Sequence, residues 1–315
     1  MNHKKNLKLY LKKAPEGGAY KFFTTKNGVN IRIGIWNNAQ NNPKSTVILL
    51  PGATEFIEKY YEVIRELLER SYGVAIMDWR GQGLSDRLLE NKHKHHIDSF
   101  ETYLSDLEGF IGEVDKENLT KPFNILAHSM GGHLALRYIH DNPDVISRVV
   151  LSAPMVAIRY GFIPEFLAKG LISRALKKGR AEDYSPGQSD YGPRKRGKSA
   201  MRILTHDPIR FMGQHVAIDD NQDLALGGQT YGWVGEAIKS INILNSPGYA
   251  EIIKTPTLIV QAGKDLLVKN KTQKAFSERL PNGTFKVLPN AAHEILNEVD
   301  EVRGIFWHYF DEFMG

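Results

Sequence analysis

Short apolar runs with the length of buried strands alternate with helical stretches along most of this 315-residue chain. Strands that alternate with helices build βαβ units, whose strands pair in parallel. We therefore predict an α/β fold, with a mostly parallel sheet and helices on both faces. The predicted strands are NIRIGIW (30–36), STVILLPG (45–52), GVAIMDW (73–79), FNILAHS (123–129), ISRVVLSAP (146–154), TPTLIVQAG (255–263) and GTFKVLP (283–289). NIRIGIW alternates as a half-exposed strand does.

The strand–helix rhythm breaks between about residues 155 and 240, where aromatic residues, basic residues and Gly-Pro pairs accumulate. We predict an inserted, mainly helical cap over 155–240, with residues 1–154 and 241–315 forming the core. A flexible linker is disfavoured, because linkers carry few large apolar residues. The apolar residues expected to anchor the cap are Phe162, Phe166, Leu167, Leu171, Ile172, Trp233 and Ile238.

The chain contains no cysteine, which excludes disulfides, thiolate catalysis and cysteine-ligated zinc. Apolar runs stay shorter than the roughly 18 residues that a membrane span needs. The basic start, MNHKKNLKLYLKK, lacks the apolar segment of a secretion signal. We interpret it as a solvated tail leading into a strand, and we expect a cytoplasmic protein.

The stretch LAHSMGGH (126–133) places Ser129 between a predicted strand and a predicted helix. A nucleophile elbow has this order, strand, sharp turn and helix, with small residues flanking the nucleophile. Ala127 stands where the G-x-S-x-G signature has its first glycine, and it adds one methyl group. We predict that Ser129 is a nucleophile rather than a serine that only caps the helix.

A serine hydroxyl becomes a good nucleophile when a base removes its proton. On this type of sheet the chain order is Ser, then Asp or Glu, then His. Asp265 follows a buried strand and His293 follows the last strand, so both fall at the sheet edge from which the elbow emerges. We predict His293 as general base in an exposed loop turn, with Asp265 orienting its ring.

The tetrahedral intermediate needs two backbone N–H donors. One donor is expected from the residue after the nucleophile, Met130, and the other from the turn LLPGATEF. Gly52 lets the backbone approach there and Ala53 donates, whereas Pro51 has no N–H.

Five motifs together resemble the α/β-hydrolase superfamily, and more narrowly the bacterial lysophospholipase and monoacylglycerol lipase group. They are the elbow, DWRGQGLSDR (78–87), GGQTYGWVGEAI (227–238), GKDLLV (263–268) and NAAHEIL (290–296). The second and third favour the lysophospholipase branch. The resemblance spans about Tyr20 to Phe313 and implies an α/β-hydrolase fold without a cofactor.

The same resemblance implies Ser129, Asp265 and His293 as the triad, with Ala53 and Met130 as oxyanion donors. Asp78, Arg80 and Gly81 match the family's D-x-R-G turn and are interpreted as structural, an ion pair and a tight loop. The chain departs from the family at Pro51, where His is usual, and at Ala127, where Gly is usual. Neither change removes a required chemical group.

Positive charge is concentrated in the predicted cap. Residues 159–202 hold eleven Lys or Arg and four Asp or Glu, against a net charge of +5 for the whole chain. This surface is expected to dock on anionic lipid headgroups, so that neutralising Arg194, Lys195 and Arg196 weakens vesicle binding. A solvated basic face is the alternative. Nucleic acid is a poorer partner, since no binding motif accompanies the charge. His93, His95 and His96 are interpreted as a solvated loop rather than a metal site.

These features predict a serine hydrolase that cleaves the carboxylic ester of a monoacyl lipid such as a lysophospholipid. Monoacylglycerol lipase, general carboxylesterase and aminopeptidase activities on the same fold remain alternatives, as does acyl transfer to a second lipid. Dehalogenases and epoxide hydrolases are disfavoured because they use Asp where this chain has Ser129. A non-catalytic binding protein is disfavoured by the complete triad.

Overall fold

Eight strands form one sheet in the computed structural model, which describes residue 11 and residues 13–161 and 163–315. The strand order is β1-β2-β4-β3-β5-β6-β7-β8, with β1–β2 and β2–β4 antiparallel and the other neighbours parallel. The strands are β1 (Gly18–Thr24), β2 (Asn30–Trp36), β3 (Ser45–Leu50), β4 (Tyr72–Met77), β5 (Phe123–His128), β6 (Val149–Ser152), β7 (Thr257–Ala262) and β8 (Gly283–Leu288). The predicted α/β fold is confirmed. Most of the basic start and the predicted cap anchor Phe162 lie outside the described residues.

Nine α-helices lie in the described ranges, and none of them is both long and apolar enough to cross a membrane. They are α1 (Tyr61–Glu69), α2 (Phe100–Asp115), α3 (Met130–Asp141), α4 (Glu165–Lys177), α5 (Lys198–Leu204), α6 (Pro208–Asp220), α7 (Tyr231–Leu244), α8 (Asn270–Ser277) and α9 (Asp300–Met314). Side-chain caps hold several of their starts. The Asp207 carboxylate accepts two backbone N–H groups at the start of α6, where Pro208 needs no partner.

Helices cover both faces of the sheet, because successive side chains of a strand point to opposite sides. In β3, Ile48 and Leu50 belong to the core that contains α2 and α3, whereas Val47 and Leu49 belong to the core that contains α1 and α9. The central strands β3, β4, β5 and β6 are therefore buried along their whole length and mostly apolar, as strands covered on both faces are.

Strand β2 differs from its prediction, since six of its seven residues are buried rather than half-exposed. One face packs Ile31, Ile33 and Ile35 into a core. On the other face the ring of Trp36 lies over Gly34, where an added Cβ would come within 2.9 Å of it. Arg32 fills the remaining space and pairs with Glu58 and Asp78.

Helices α4 to α7 all lie between β6 and β7, the position of the predicted insertion. Helix α7 belongs only partly to a separate cap, because its residues Trp233, Ala237 and Leu244 are part of the same core as α3. Its last turn also extends past residue 240, where the predicted boundary falls. The division into a core and a 155–240 cap stays a prediction.

Candidate active site

Ser129 stands at the turn between β5 and α3, with a φ of 50° and a ψ of −112°. Such a backbone conformation is strained for a residue with a side chain, and strain of this kind is typical of a nucleophile elbow. The helix packs so closely that a Cβ on Gly131 would lie 2.3 Å from the Leu50 carbonyl oxygen. Ala127 lies before the turn, fully buried in the core, so its extra methyl group is accommodated.

Ser129, His293 and Asp265 form one hydrogen-bonded chain. His293 Nε2 is 2.9 Å from Ser129 Oγ, and His293 Nδ1 is 2.6 Å from Asp265 Oδ2. The backbone N–H groups of Leu267 and Val268 donate to the other oxygen of Asp265, at 2.8 and 3.0 Å. The ring is thus oriented with one nitrogen toward the hydroxyl, the arrangement that lets an imidazole take its proton.

Electrostatics favour a histidine that can carry a proton during a reaction. Burial by itself would lower the pKa of His293, but the charge and hydrogen bond of Asp265 outweigh it and raise that pKa above the ordinary 6.5. Burial would raise the pKa of Asp265, and its contacts with His293 lower it below the ordinary value. The pair therefore stabilises the imidazolium form.

The prediction that His293 lies in an exposed loop is wrong, since only 4% of the residue is exposed. Helix α5 covers the base loop, defined as residues 290–294. The backbone N–H of Glu294 donates to the Leu204 carbonyl at 2.7 Å, and that of His293 reaches the Ile203 carbonyl at 3.5 Å. The inserted helices thus form part of the wall around the candidate base.

The predicted oxyanion donors lie on either side of the nucleophile. Within the described part of the chain, the backbone N–H groups of Ala53 and Met130 have no hydrogen-bond acceptor. Ala53 belongs to the oxyanion turn, residues 52–55, which includes Thr54 with a φ of 65°. Gly52 is required by crowding, because a Cβ there would lie 2.8 Å from Glu55 Oε2 and 2.9 Å from the His128 ring.

The oxyanion turn is held by Gln82, a residue that sequence reasoning missed. Gln82 is fully buried, donates to the carbonyls of Gly52 and Glu55 at 3.1 Å, and accepts the Thr54 N–H at 3.0 Å. Its position inside the WRGQGLSDR motif was the available signal. A side-chain amide has both donors and an acceptor, which suits it to satisfy three backbone groups of one turn.

The D-x-R-G turn is structural, but Asp78 and Arg80 do not pair with each other. Asp78 pairs with Arg32 and accepts the N–H of Ile57, which follows the oxyanion turn, whereas Arg80 forms a bidentate pair with Asp106 on α2. Gly81 has a φ of 78°, as expected of a tight loop.

A buried ion cluster connects the oxyanion turn with the base loop. Lys59 Nζ is 2.7 Å from Glu55 Oε1 and 2.6 Å from Glu294 Oε1, and all three side chains are at most 6% exposed. Glu55 also accepts the Gly52 N–H and the Tyr60 hydroxyl, both at 2.5 Å. Burial would raise the pKa of Glu55, but Lys59 holds it below its ordinary value.

The histidine-rich stretch is packed and not solvated, contrary to prediction. His95 is fully buried, its ring centroid lies 5.0 Å from that of Trp233, and desolvation lowers its pKa to about 3. His96 Nδ1 is 2.8 Å from Thr230 Oγ1. The stretch contacts the GGQTYGW segment, and the His95 N–H donates to the Gly228 carbonyl at 3.0 Å. The histidine-rich stretch and the GGQTYGW segment therefore pack against each other.

The basic triplet, defined as Arg194, Lys195 and Arg196, and several apolar anchors of the predicted cap are also placed differently from expectation. Lys195 is partly buried and donates to the Gly227 carbonyl, and Arg196 pairs with Asp219. Of the anchors, Ile172 and Trp233 are buried, and Ile238 packs against the cluster that contains Ile172. The other described anchors, Phe166, Leu167 and Leu171, are 73, 53 and 48% exposed.

A cavity of about 270 Å³ contains the candidate nucleophile and base. The oxyanion turn, the base loop and residues of α5 and α6 line it. Its apolar lining residues include Phe56, Ala200, Ile203, Leu204, Ile218, Leu226 and Leu267. Its polar lining residues include Lys59, Tyr191, Lys195, Gln214, His215 and Gln229. The cavity thus offers apolar and charged walls around one hydroxyl.

Comparison with known proteins shows the family and the fold of this chain. The family model described as serine aminopeptidase, S33, matches residues 41–300. Lysophospholipase L2 of Escherichia coli strain K12 is 31% identical over 302 residues, covering 93% of this chain and 86% of that protein. Probable lysophospholipase L2 of Haemophilus influenzae is 30% identical, with 82% of this chain and 80% of that protein covered. A soluble variant of monoglyceride lipase from Saccharomyces cerevisiae has the same fold, with a TM-score of 0.74 at 18% identity and 96 and 97% coverage.

Proposed function

The chain belongs to the family of α/β-hydrolases described as serine aminopeptidase, S33, and from its 31% identity to lysophospholipase L2 of Escherichia coli we propose a lysophospholipase that works through an acyl-enzyme on Ser129. It is a carboxylic ester hydrolase, and its substrates are monoacyl lipids. The observation that carries the proposal is the hydrogen-bonded chain from Ser129 through His293 to Asp265, inside a cavity with apolar and charged walls.

Each group has a defined step in the proposed reaction. His293 Nε2 takes the Ser129 proton as Oγ attacks the ester carbonyl carbon, and Asp265 stabilises the imidazolium. The N–H groups of Ala53 and Met130 stabilise the oxyanion. His293 then gives the proton to the departing glycerol oxygen, which leaves an acyl group on Ser129. Water, activated by the same histidine, releases the fatty acid and restores the serine.

The apolar wall suits the acyl chain of the substrate. Ile203, Leu204, Ile218, Leu226 and Leu267 line the same cavity as the nucleophile. Transfer of methylene groups from water to such a wall contributes about 0.8 kcal/mol for each buried CH₂. This contribution favours a long-chain ester over an aminoacyl amide, which has little apolar surface to bury.

A fluorophosphonate probe and a substrate panel test the assignment. We expect the probe to label the wild type and not Ser129→Ala, and Ser129→Ala to lose about 10⁴-fold or more in turnover. The panel holds lysophospholipids, monoacylglycerols, short esters and aminoacyl amides, with the lysophospholipids expected to be the best substrates. Equal labelling of Ser129→Ala would disprove the nucleophile. A preference for another class would favour monoacylglycerol lipase, carboxylesterase or aminopeptidase activity instead, and recovery of a diacyl product would indicate acyl transfer.

We also propose that the protein is cytoplasmic and contacts the membrane through an apolar patch, defined as Ile163, Phe166, Leu167 and Leu171. These side chains are 48 to 73% exposed, and α4 carries basic residues beside them. The opposite face of α4 packs inward. An amphipathic surface of this kind enters the headgroup region of a bilayer and is attracted by anionic lipid. Helix α4 lies within the basic stretch 159–202, so the contact predicted through the basic cap stays a proposal, to which the apolar patch is added.

A further inference from the structure

Lys195 lines the cavity of Ser129 and lacks a carboxylate partner within the described part of the chain. An ammonium group has three N–H donors, and here one of them is used, by the Gly227 carbonyl oxygen at 3.0 Å. Burial lowers the pKa of Lys195, and no acidic side chain among the described residues opposes that effect. An anion in the cavity would supply the missing countercharge.

The other charged groups of this wall are already paired. Lys59, which also lines the cavity, lies between Glu55 and Glu294. Arg196, the next residue in the chain, forms a bidentate ion pair with Asp219. Its guanidinium group also lies over the ring of Tyr191. Among the described residues that line the cavity, Lys195 is thus the cation left to meet a ligand.

His215 provides a second, independent observation in the same wall. It is 2% exposed, its Nδ1 is 2.8 Å from the Tyr191 hydroxyl, and its Nε2 lacks a hydrogen-bond partner among the described residues. Desolvation lowers its pKa to about 4, so the ring is neutral at pH 7. The Tyr191 hydroxyl can donate to Nδ1, and in that tautomer the neutral ring carries its proton on Nε2. A buried donor without an acceptor is costly unless a ligand satisfies it.

We propose that Lys195 and His215 form an anion subsite that takes the phosphodiester of a lysophospholipid whose ester carbonyl lies at Ser129. This inference rests on the proposed function and names the part of the substrate that decides specificity. A phosphodiester carries one negative charge, which matches one ammonium, and its oxygens accept charge-assisted hydrogen bonds. A monoacylglycerol of the same chain length leaves both groups unpaired, and that loss is the basis of discrimination.

Single substitutions on two substrates test the subsite. Lysophosphatidylglycerol and monoacylglycerol with the same acyl chain are assayed as monomers with wild type, Lys195→Gln, Lys195→Arg and Arg194→Gln. We expect Lys195→Gln to lower kcat/KM on the lysophospholipid about tenfold or more relative to its effect on the monoacylglycerol. Lys195→Arg should restore much of the loss. Arg194→Gln is the matched control, because it removes a neighbouring exposed charge.

Every outcome decides the proposal. Equal losses on both substrates, or no loss on either, overturn the subsite and leave the proposed function standing if wild type hydrolyses both. A wild type that hydrolyses neither substrate overturns both proposals. If Lys195→Gln folds poorly, judged by its unfolding midpoint, His215→Phe is the second variant, and it too should lose activity selectively on the lysophospholipid. If Lys195→Gln only relieves inhibition by added inorganic phosphate, the site binds free phosphate and the headgroup assignment is wrong.

Discussion

Lys59 Nζ lies 2.6 Å from a carboxylate oxygen of Glu294, the residue that follows the candidate base, although the two are 235 positions apart in the chain. The same ammonium is 2.7 Å from Glu55 of the oxyanion turn. One buried cation therefore connects the turn that would stabilise the oxyanion with the loop that would supply the base. This arrangement fixes the relative position of two groups that must act on the same carbonyl.

Replacing Lys59 by Met should impair both activity and stability. Two buried carboxylates would face each other without a cation, and breaking a buried pair in this way costs about 3–5 kcal/mol in free energy of unfolding. We expect kcat to fall about tenfold or more with a smaller change in KM, because the oxyanion donors would shift relative to the nucleophile. Steady-state kinetics and urea denaturation measure the two effects.

Lys239→Met is the matched control, since Lys239 pairs with Glu236 on the surface of α7 and its side chain is 67% exposed. Exposed pairs contribute about 0–1 kcal/mol, so this variant should behave as wild type. A Lys59→Met protein with wild-type kcat would show that the cluster stabilises the fold without positioning the reacting groups.

The pH dependence of kcat/KM should follow the protonation of His293. The base must be neutral to accept the serine proton, and Asp265 raises the pKa of His293 above 6.5. Activity should therefore fall as the pH drops through that raised value. Asp265→Asn removes the charge that raises it, so the acid limb should move to lower pH while kcat falls about 10⁴-fold. If the acid limb of the Asp265→Asn profile stays at the same pH, the limb reports the titration of a group other than His293.

Ala127→Gly should keep the activity of the wild type and lower its stability. Ala127 is fully buried in β5, and its methyl group packs in the core beside the elbow. Removing that methyl and placing a glycine in a strand costs about 1–2 kcal/mol in free energy of unfolding. We expect kcat/KM to change by less than about twofold. A clear gain in kcat would show instead that the methyl group crowds the nucleophile.

The sequence predicted the sheet and the order of the candidate triad because both depend on local patterns. Apolar runs set the strands, and α3 follows Ser129 directly, where a helix was predicted. Chain order and strand ends were sufficient to select Asp265 and His293 from the other acids and histidines. These residues are fixed by the topology of an α/β sheet, which brings strand ends to one edge.

What the sequence could not predict are the contacts between distant segments. Gln82 looks like an ordinary loop residue until the oxyanion turn is packed against it. His95 looks like a solvated residue in the sequence, but the ring of Trp233, 138 positions later in the chain, covers it. Lys195 looks like part of a basic surface until α6 places His215 in the same wall. Burial of polar groups depends on tertiary packing, which the local periodicity of apolar residues does not report.

The apolar patch, most of which lies on α4, should hold the protein on an anionic membrane. Phe166 and Leu171 are 73 and 48% exposed, and the helix start is joined to the loop after β7 by the Glu165–Lys269 ion pair. Because the apolar patch lies beside the loop that carries Asp265, its insertion into a bilayer would bring the cavity close to the lipid substrate. We expect Phe166→Ser/Leu171→Ser to weaken sedimentation with anionic vesicles about tenfold or more, because two large apolar side chains no longer enter the bilayer.

Ile252→Ser controls for the loss of an exposed apolar side chain elsewhere, since Ile252 is 57% exposed and lies outside the patch. It should bind vesicles as the wild type does. Turnover of a monomeric short ester should be unchanged in the patch variant, because the substitutions lie outside the residues that line the cavity. High salt should weaken the remaining binding, as basic residues on α4 are screened from the anionic headgroups. Wild-type sedimentation of the patch variant would exclude α4 as the membrane contact.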